Sequence, residues 1–345
     1  MNNFFQNQTS KNVFIIAELS ANHNGSLKNA IETVRAAKRA GADAIKLQTY
    51  TADTITIDSK KEDFIINNGS IWDGKNFYEL YQEAFTPWEW HEKLFEVANE
   101  EELICFSSPF DFTAVDFLEK LNVPCYKIAS FEITDIPLIE YVASKGKPII
   151  LSTGIAQKSD IELALSTIRN IGNNEIALLK CTSSYPAPIE EANLKMIHDF
   201  EERFNVTPGL SDHTLGFTAP IVAVSLGAKI IEKHLILDKK IGGPDASFSL
   251  DEKEFKEMVI HVRNAEKAIG VINYELTDKQ KKGRNFSRSL YVTKDVNKGD
   301  KVSYDNVKSI RPGFGMHPKK LSEIIGKIFI KDFEFGTALK EIHIE

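Results

Sequence analysis

Residues 125–182 read CYKIASFEITDIPLIEYVASKGKPIILSTGIAQKSDIELALSTIRNIGNNEIALLKCT, and they carry the pattern that decides the fold. Short apolar runs begin at Cys125, Pro148 and Ile176, and longer stretches with helical character separate them. This alternation is typical of parallel strands joined by crossover helices. Each run ends in Ser or Thr, so we expect polar side chains along one edge of the sheet.

The same pattern extends from Val13 to about Gly270 and predicts eight strands. The other runs are VFIIAEL from Val13, AIKLQT from Ala44, LICFSS from Leu103, TPGLSD from Thr207 and KIIEKHL from Lys229. Amphipathic segments between them predict helices, for example over Leu27–Ala40, Pro87–Glu100 and Ala114–Leu121. Eight strand–helix units in one run favour an α/β fold closed as a (β/α)8 barrel.

Two regions depart from this rhythm. Residues 54–86 interrupt it, and we interpret them as an inserted loop over the mouth of the barrel. Polar sequence after Gly270 predicts a linker, followed by short strands with Gly turns and little helix. The predicted organisation is a barrel domain over 1–273, a linker over 274–285 and a small C-terminal domain over 286–345.

Composition narrows the class of protein. The chain has 345 residues, 42% of them hydrophobic, and a formal net charge of -7, which argues against a general nucleic-acid binder. No window approaches a membrane span, and the N-terminus lacks the pattern of a secretion signal. Three cysteines, Cys105, Cys125 and Cys181, lie in apolar runs and are predicted to be reduced core thiols. We therefore expect a cytoplasmic protein that contacts no membrane.

The polar residues that close the predicted strands form the candidate site. Lys46 and Lys127 are expensive to bury unless they bind anions. With hydroxyls nearby they would form a cationic cup for a phosphate and a carboxylate. The hydroxyls are those of Ser108, Ser130, Ser152, Ser183 and Ser211. Strand alternation instead predicts paired or outward-facing charges for Lys180 and Lys233.

His213 and His234 end the last two strands, which are neighbours in a closed barrel. Adjacent strands lie about 4.8 Å apart, so both imidazoles can reach one cation. Two His ligands with few carboxylates nearby leave positions open for water and substrate, which is typical of a Lewis-acid site. His23 follows the first strand, and its position fits either a substrate contact or a loop histidine that bonds nearby backbone.

At this point the motifs resemble those of the sialic-acid synthase family. They run in order over nearly the whole chain: AELSANHNGSLKNA, DAIKLQTY, FSSPFD, YKIASFEI, LSTGIA, SSYPAP, GLSDHTLG, GAKIIEKHL and GGPDASFS. The tail from Asn285 through RPGFGMHP is similar to the small antifreeze-like (SAF) domain of that family. Within the family, ELSANHN and ASFEITDIPL look most like the pseudaminic acid synthases.

The resemblance implies a reaction in which phosphoenolpyruvate, 2,4-diacetamido-2,4,6-trideoxy-altrose and water give pseudaminic acid and phosphate. It implies a divalent metal, Mn, Mg or Co, on His213 and His234. It also implies a swapped homodimer in which Arg311 acts on the partner's barrel. Carried over by position, the phosphoenolpyruvate residues are Lys46, Ser108, Lys127, Ser130, Ser152, Ser183 and Ser211. The sugar-side residues are Gln48, Glu132, Tyr185, Asp245, Phe286 and Arg311.

Two positions differ from the family pattern. Asn24 stands where other members carry a glutamate, and an amide cannot act as a base. Water activation therefore falls to Glu132 or Glu18, with His23 as a further catalytic candidate. Ser183 stands where relatives have asparagine.

Other readings stay open. The sugar could be the precursor of N-acetylneuraminate or of legionaminate. Lys127 could instead act as the Schiff-base lysine of a pyruvate aldolase, without a metal. A non-enzymatic alternative is a sugar-binding or ice-binding protein that functions through its C-terminal module.

Overall fold

The computed structural model describes residues 3–67 and 69–345 and divides the chain into two compact units, residues 1–270 and 271–345. The segment 274–285, predicted to be a linker, contains a short helix over Asp278–Gly283. Thr277 and Gln280 form a capping box at its start, which explains how so polar a sequence holds a helical turn.

Among the described residues of the first unit, eight parallel strands close into a barrel in the order β1 to β8. The strands are β1 Phe14–Glu18, β2 Ala44–Thr49, β3 Ile104–Pro109, β4 Tyr126–Ile128, β5 Ile149–Ser152, β6 Ile176–Cys181, β7 Thr207–Asp212 and β8 Ile230–His234. The closing pair, β1 with β8, runs in register from Phe14 opposite Ile230 to Glu18 opposite His234. The predicted barrel is confirmed.

Helices alternate with these strands. Their bounds are α1 Phe4–Thr9, α2 Leu27–Ala40, α3 Ala52–Ile55, α4 Phe77–Ala84, α5 Trp88–Glu100, α6 Phe112–Lys120, α7 Ile136–Ala143, α8 Lys158–Asn170, α9 Met196–Phe204, α10 Thr218–Ser225 and α11 Glu252–Ile269. Helix α2 begins after the cap residue Ser26 and ends before Gly41, whose positive φ suits glycine.

Strand alternation divides the core into two layers. Alternate residues such as Phe14, Ile16 and Ile230 cluster inside the barrel, and Phe5 of α1 joins that cluster. The residues between them, such as Ile15 and Ile45, pack against the surrounding helices. The inward positions become polar only toward the carboxyl ends of the strands, so the chemistry is concentrated at one end of the barrel.

Residues 54–86, predicted as a loop, also contain helix. Asn76 caps α4 by accepting a hydrogen bond from the backbone N–H of Tyr78. Its side-chain amide donates to the carbonyl of Ser59, which ties the helix start to the preceding chain. The prediction missed this helix because the segment is short and its apolar residues are irregularly spaced.

The second unit has an antiparallel pair, β9 Ser289–Val292 with β10 Val307–Ile310, and two short helices, α12 Asp278–Gly283 and α13 Leu321–Ile324. Isolated bridges such as Val296 with Phe333 complete it around its own apolar core. Among the residues that the structure describes, no helix combines the length and apolarity that crossing a bilayer requires.

Candidate active site

A cavity of about 460 Å³ opens at the carboxyl ends of the barrel strands. We call its polar wall the floor, formed by strand-end residues Glu18, Lys46, Gln48, Lys127, Ser152, Cys181, Ser211, His213, Glu232 and His234. We call its apolar wall the roof, formed by Ile55, Ile66, Trp72, Phe77, Leu80 and Tyr81 from residues 54–86. The inserted segment therefore lies at the barrel mouth, as the sequence predicted.

Strand register brings the floor residues together. Glu18 pairs in register with Lys46 on one neighbouring strand and with His234 on the other. The Nζ atom of Lys46 lies 2.5 Å from Oε1 of Glu18, and Gln48 Nε2 donates to the same oxygen at 2.8 Å. Glu18 and Lys46 are buried, so each charge is held by its partners rather than by water.

The two predicted lysines both reach the floor. Burial opposes the charge on Lys46, but Glu18 and Glu232 outweigh it and raise the pKa of Lys46. Lys127 donates to Ser152 Oγ at 2.6 Å and to the carbonyl of Ile128 at 3.1 Å. Burial lowers the pKa of Lys127, although Glu232 works against it. The floor thus holds at least one fixed cation where an anionic substrate group can bind.

Glu232 is a floor residue that the sequence analysis missed. Its Oε2 lies 3.9 Å from Nζ of Lys46, and its Oε1 lies 3.9 Å from Nζ of Lys127. Ser211 donates a hydrogen bond to Oε1 at 2.8 Å. The signal was present in KIIEKHL, because a period of two places Glu232 on the same face as His234. Lys233, between them, faces the other way and pairs with buried Asp212 at 2.5 Å, as strand alternation predicts.

The predicted hydroxyls occupy different positions. Ser152 and Ser211 line the floor, and Ser130 lines the cavity beside it. Ser183 donates a hydrogen bond to Ser130 Oγ at 2.8 Å. Both serines lie next to Gly154: a Cβ atom at that position would be 2.1 Å from Ser183 Oγ and 2.6 Å from Ser130 Oγ. Ser108 is fully buried, does not line the cavity, and its Oγ has no hydrogen-bond partner among the described residues.

The two strand-end histidines meet. Their ring centroids are 5.4 Å apart, and both rings line the cavity. His213 Nδ1 donates to the carbonyl of Thr182 at 3.0 Å, which leaves Nε2 as the nitrogen available to a ligand. Two carboxylates flank His234: Oε2 of Glu18 lies 3.4 Å from Nε2, and Oδ2 of Asp245 lies 3.8 Å from Nδ1.

The two imidazoles and the nearby carboxylates suit a divalent cation whose remaining coordination positions stay open to water or substrate. Nδ1 of His234 is buried without a hydrogen-bond partner in the described part of the chain, and burial lowers the pKa of His234, although Glu18 opposes the shift. Two imidazoles with carboxylate oxygens nearby are donors that a divalent cation can bind, and only the family resemblance points to Mn, Mg or Co among such cations. Within residues 3–67 and 69–345 no group of three or more His, Cys, Asp or Glu side chains is arranged to hold a metal ion.

The two candidate carboxyl groups differ in basicity. Burial would raise the pKa of Glu18, but Lys46 and His234 outweigh it and hold that pKa far below its usual range. Glu132, in the 3-10 helix Ser130–Glu132 after β4, has its pKa raised to about 7 by burial, although Lys127 opposes the shift. A group with a pKa near neutrality is the better acid or base at pH 7.

His23 is buried but does not line the cavity. Its Nδ1 accepts a hydrogen bond from the backbone N–H of Gly25 at 3.1 Å, and its ring contacts Trp90 edge to face. Burial lowers the pKa of His23 to about 4. These contacts match the alternative of a loop histidine that bonds nearby backbone.

The sugar-side candidates divide between the two units. Gln48, Tyr185 and Asp245 line the cavity with Glu132, and the ring of Tyr185 lies 4.5 Å from that of His213. Phe286 and Arg311 belong to the second unit, and both are exposed there.

Asn24, which replaces the expected glutamate, does not line the cavity. It has a left-handed backbone conformation with φ of 49°, which asparagine tolerates better than most residues. Its Nδ2 donates to the carbonyl of Ile241 at 3.1 Å. The amide therefore fastens the loop that leads to Asp245.

All three cysteines are buried and free, as predicted for reduced thiols. Cys181 differs from Cys105 and Cys125 because it lines the cavity, where its Sγ lies 3.7 Å from Nδ1 of His213. Cys105 and Cys125 lie elsewhere in the core, and burial raises the pKa of each to levels at which a thiol stays protonated.

Comparisons with known proteins agree with this geometry. A model of the NeuB family matches residues 33–274, and a model of the SAF domain matches residues 287–345. A pseudaminic acid synthase of Campylobacter jejuni is 53% identical over 333 residues, covering 96% of this chain and 97% of that protein. An N,N'-diacetyllegionaminic acid synthase of Legionella pneumophila is 37% identical over 343 residues, covering 98% and 96%.

A solved structure shares the fold. An N-acetylneuraminic acid synthetase of Leptospira borgpetersenii, crystallised with citrate, is 31% identical and superposes with a TM-score of 0.70 over 79% of this chain and 90% of that chain.

Proposed function

The chain belongs to the NeuB family, and we propose that it condenses phosphoenolpyruvate with 2,4-diacetamido-2,4,6-trideoxy-altrose and water, giving pseudaminic acid and phosphate. The observation that carries the proposal is the floor, where buried lysines, hydroxyls and two imidazoles meet in one cavity. Identity is higher to the pseudaminic acid synthase than to the legionaminic acid synthase, which favours the altro sugar.

The floor supplies the groups that hold the enol phosphate. Lys46 and Lys127, with Ser152 and Ser211, bind its phosphate and carboxylate through charge-assisted hydrogen bonds. Because the lysines are buried and fixed by partners, the substrate is oriented without further reorganisation of the protein.

The sugar aldehyde binds beside His213 and His234. These two histidines would hold a divalent cation, Mn, Mg or Co, and the cation would supply positive charge to polarise the aldehyde. C3 of phosphoenolpyruvate forms the new bond to the aldehyde carbon, and water adds to the cationic C2. Glu132 accepts a proton from this water, since its pKa lies near 7 whereas Glu18 is a weak base. The alkoxide formed from the aldehyde takes up a proton, and the new C2 hydroxyl loses its proton as the C–O bond to phosphate breaks, which leaves the ketone and inorganic phosphate.

We also propose a swapped homodimer in the cytoplasm, in which Arg311 of one subunit binds acyl or hydroxyl groups of the sugar on the other. The SAF match over residues 287–345 and the exposure of Arg311 support this arrangement. Three buried free cysteines suit a reducing compartment. Mixing two inactive variants, Arg311→Ala and His213→Ala, tests it: restored turnover supports sharing between subunits, and a mixture as inactive as its parts excludes it.

Phosphate release is the test of the proposed function. The enzyme is supplied with phosphoenolpyruvate and one of three sugars: the altro sugar, N-acetylmannosamine or the legionaminic precursor. We expect the altro sugar to give the highest kcat/KM, EDTA to stop the reaction and Mn to restore it. Turnover that prefers another sugar would reassign the substrate within the family.

A Schiff-base aldolase is the second candidate, because burial lowers the pKa of Lys127 and such a lysine must be neutral to attack a carbonyl. Borohydride trapping with pyruvate separates the two. We expect no trapped adduct, because Nζ of Lys127 is engaged by Ser152 and the Ile128 carbonyl.

A further inference from the structure

The cavity has two walls of opposite character, and the family reaction accounts for only one of them. The floor carries the charged groups already described, whereas the roof consists of aliphatic and aromatic side chains from residues 54–86. Ile66 and Leu80 are buried, and Tyr50 and Tyr81 meet edge to face with ring centroids 5.6 Å apart. An apolar wall of this kind binds methyl and ring faces, not phosphate.

Trp72 is a roof residue that is connected to the floor through Tyr185. Its ring lies 5.2 Å from that of Tyr185, whose ring in turn lies 4.5 Å from His213. The indole Nε1 donates to the carbonyl of Pro244 at 3.2 Å, next to Asp245. Trp72 therefore joins the roof to the loop that carries a candidate sugar-binding carboxylate.

The backbone around Trp72 is fixed. The N–H of Ile66 donates to the carbonyl of Lys75, and the N–H of Gly74 donates to the carbonyl of Ile66. The neighbouring Ile71 is 50% exposed and does not line the cavity, so the loop directs Trp72 inward and Ile71 outward. A large apolar side chain is held at a defined place over the floor.

We propose that the roof selects the sugar, and that Trp72 is a specificity-determining residue that packs against methyl groups of a deoxygenated, multiply acylated amino sugar. This inference rests on the proposed function and specifies its substrate class. The trideoxy diacetamido sugar carries two acetyl methyl groups, and its C6 is a third methyl group. N-acetylmannosamine carries one acetyl methyl group, and its C6 is a hydroxymethyl group, so it fits the roof less well.

The test is the ratio of kcat/KM for the trideoxy diacetamido sugar to that for N-acetylmannosamine, measured by phosphate release. This ratio does not depend on how much of a variant is folded. In Trp72→Ala we expect it to fall roughly 10- to 200-fold, the range for loss of an apolar contact, while KM for phosphoenolpyruvate stays within about twofold. Trp72→Phe keeps a ring and should retain most of the ratio, and Ile71→Ala should leave it unchanged.

A second readout is saturation-transfer NMR with the unreactive alditol of the trideoxy sugar. We expect its methyl protons to receive the strongest saturation in the wild type, and less in Trp72→Ala. An unchanged kcat/KM ratio in Trp72→Ala, or an equal fall in Ile71→Ala, would overturn the role of Trp72 and leave the proposed function intact. A wild type that releases no phosphate with any sugar would overturn both.

Discussion

The floor and the roof of the cavity are built by different means. Floor side chains stand on strands whose register is set by the closed barrel, such as Glu18 opposite Lys46 and His234. Roof side chains stand on an inserted segment that holds its shape through capping and loop hydrogen bonds, such as those of Asn76. The difference indicates that the rigid wall performs the chemistry and the added wall chooses the substrate, so floor and roof variants should fail in different ways.

Loss of a floor histidine should have the largest effect. We expect His213→Ala and His234→Ala each to lower kcat/KM at least roughly 1000-fold, the scale at which an enzyme loses a fixed charge-stabilising group. Bound Mn, followed by isothermal titration, should be lost with little change in the unfolding midpoint. The control is His198→Ala, an exposed helix residue paired with Glu202. Near-normal rates in either floor variant would refute the cation assignment.

Glu132→Gln should have the next largest effect, with a signature in pH. Burial raises the pKa of Glu132 to about 7, and the ionised form is the base, so kcat/KM of the wild type should rise with pH through about 7. The variant should be about 100-fold slower and should lack this rise. If the rise persists in Glu132→Gln, another group activates the water.

Gly154→Ala should weaken binding of the enol phosphate. The new methyl group would lie 2.1 Å from Ser183 Oγ and 2.6 Å from Ser130 Oγ, so both serines must move. We expect KM for phosphoenolpyruvate to rise about 10- to 100-fold with a smaller change for the sugar. Gly283→Ala, whose methyl group meets no atom within 4 Å, is the control. Equal changes for both substrates would show that these serines do not belong to the phosphoenolpyruvate side.

Asn76→Ala should have the smallest effect and should act through the roof. Loss of a helix cap costs about 1 kcal/mol, which we expect in the free energy of unfolding and as faster amide exchange in α4. KM for the sugar should rise more than KM for phosphoenolpyruvate. Ser26→Ala removes a comparable cap from α2, none of whose residues lines the cavity, and we expect this variant to lose stability without a change in KM for the sugar. If KM for the sugar rose equally in both variants, the effect of Asn76→Ala would come from a general loss of stability and not from the roof.

The floor was largely predictable from the sequence, whereas the roof was not. Strand periodicity and closure place Lys46, Lys127, His213 and His234 at one end of the barrel, and the structure brings all four to one cavity. The same rule applied to KIIEKHL would also have found Glu232. It could not reveal which hydroxyls face substrate, since Ser108 is enclosed while Ser152 lines the cavity.

The roof depends on contacts between segments distant in sequence, and these carry no local period. Trp72 contacts Pro244 and Tyr185, and the nearby backbone is held by hydrogen bonds of Ile66 with Gly74 and Lys75. The structural role of Asn24 likewise follows from its hydrogen bond to the carbonyl of Ile241, which the sequence pattern does not predict. For inserted segments and substituted loop residues, sequence patterns therefore predict where the residues lie but not what they do.

The most direct test of the central claim is an isotope measurement on the enol phosphate at the floor. Phosphoenolpyruvate labelled with ¹⁸O at the oxygen that bridges carbon and phosphorus is turned over with the trideoxy diacetamido sugar, and both products are analysed by mass spectrometry. Cleavage of the C–O bond, with water adding at C2, predicts that the label leaves in the phosphate. Label retained in the sugar acid would mean that the P–O bond breaks, and would contradict the account.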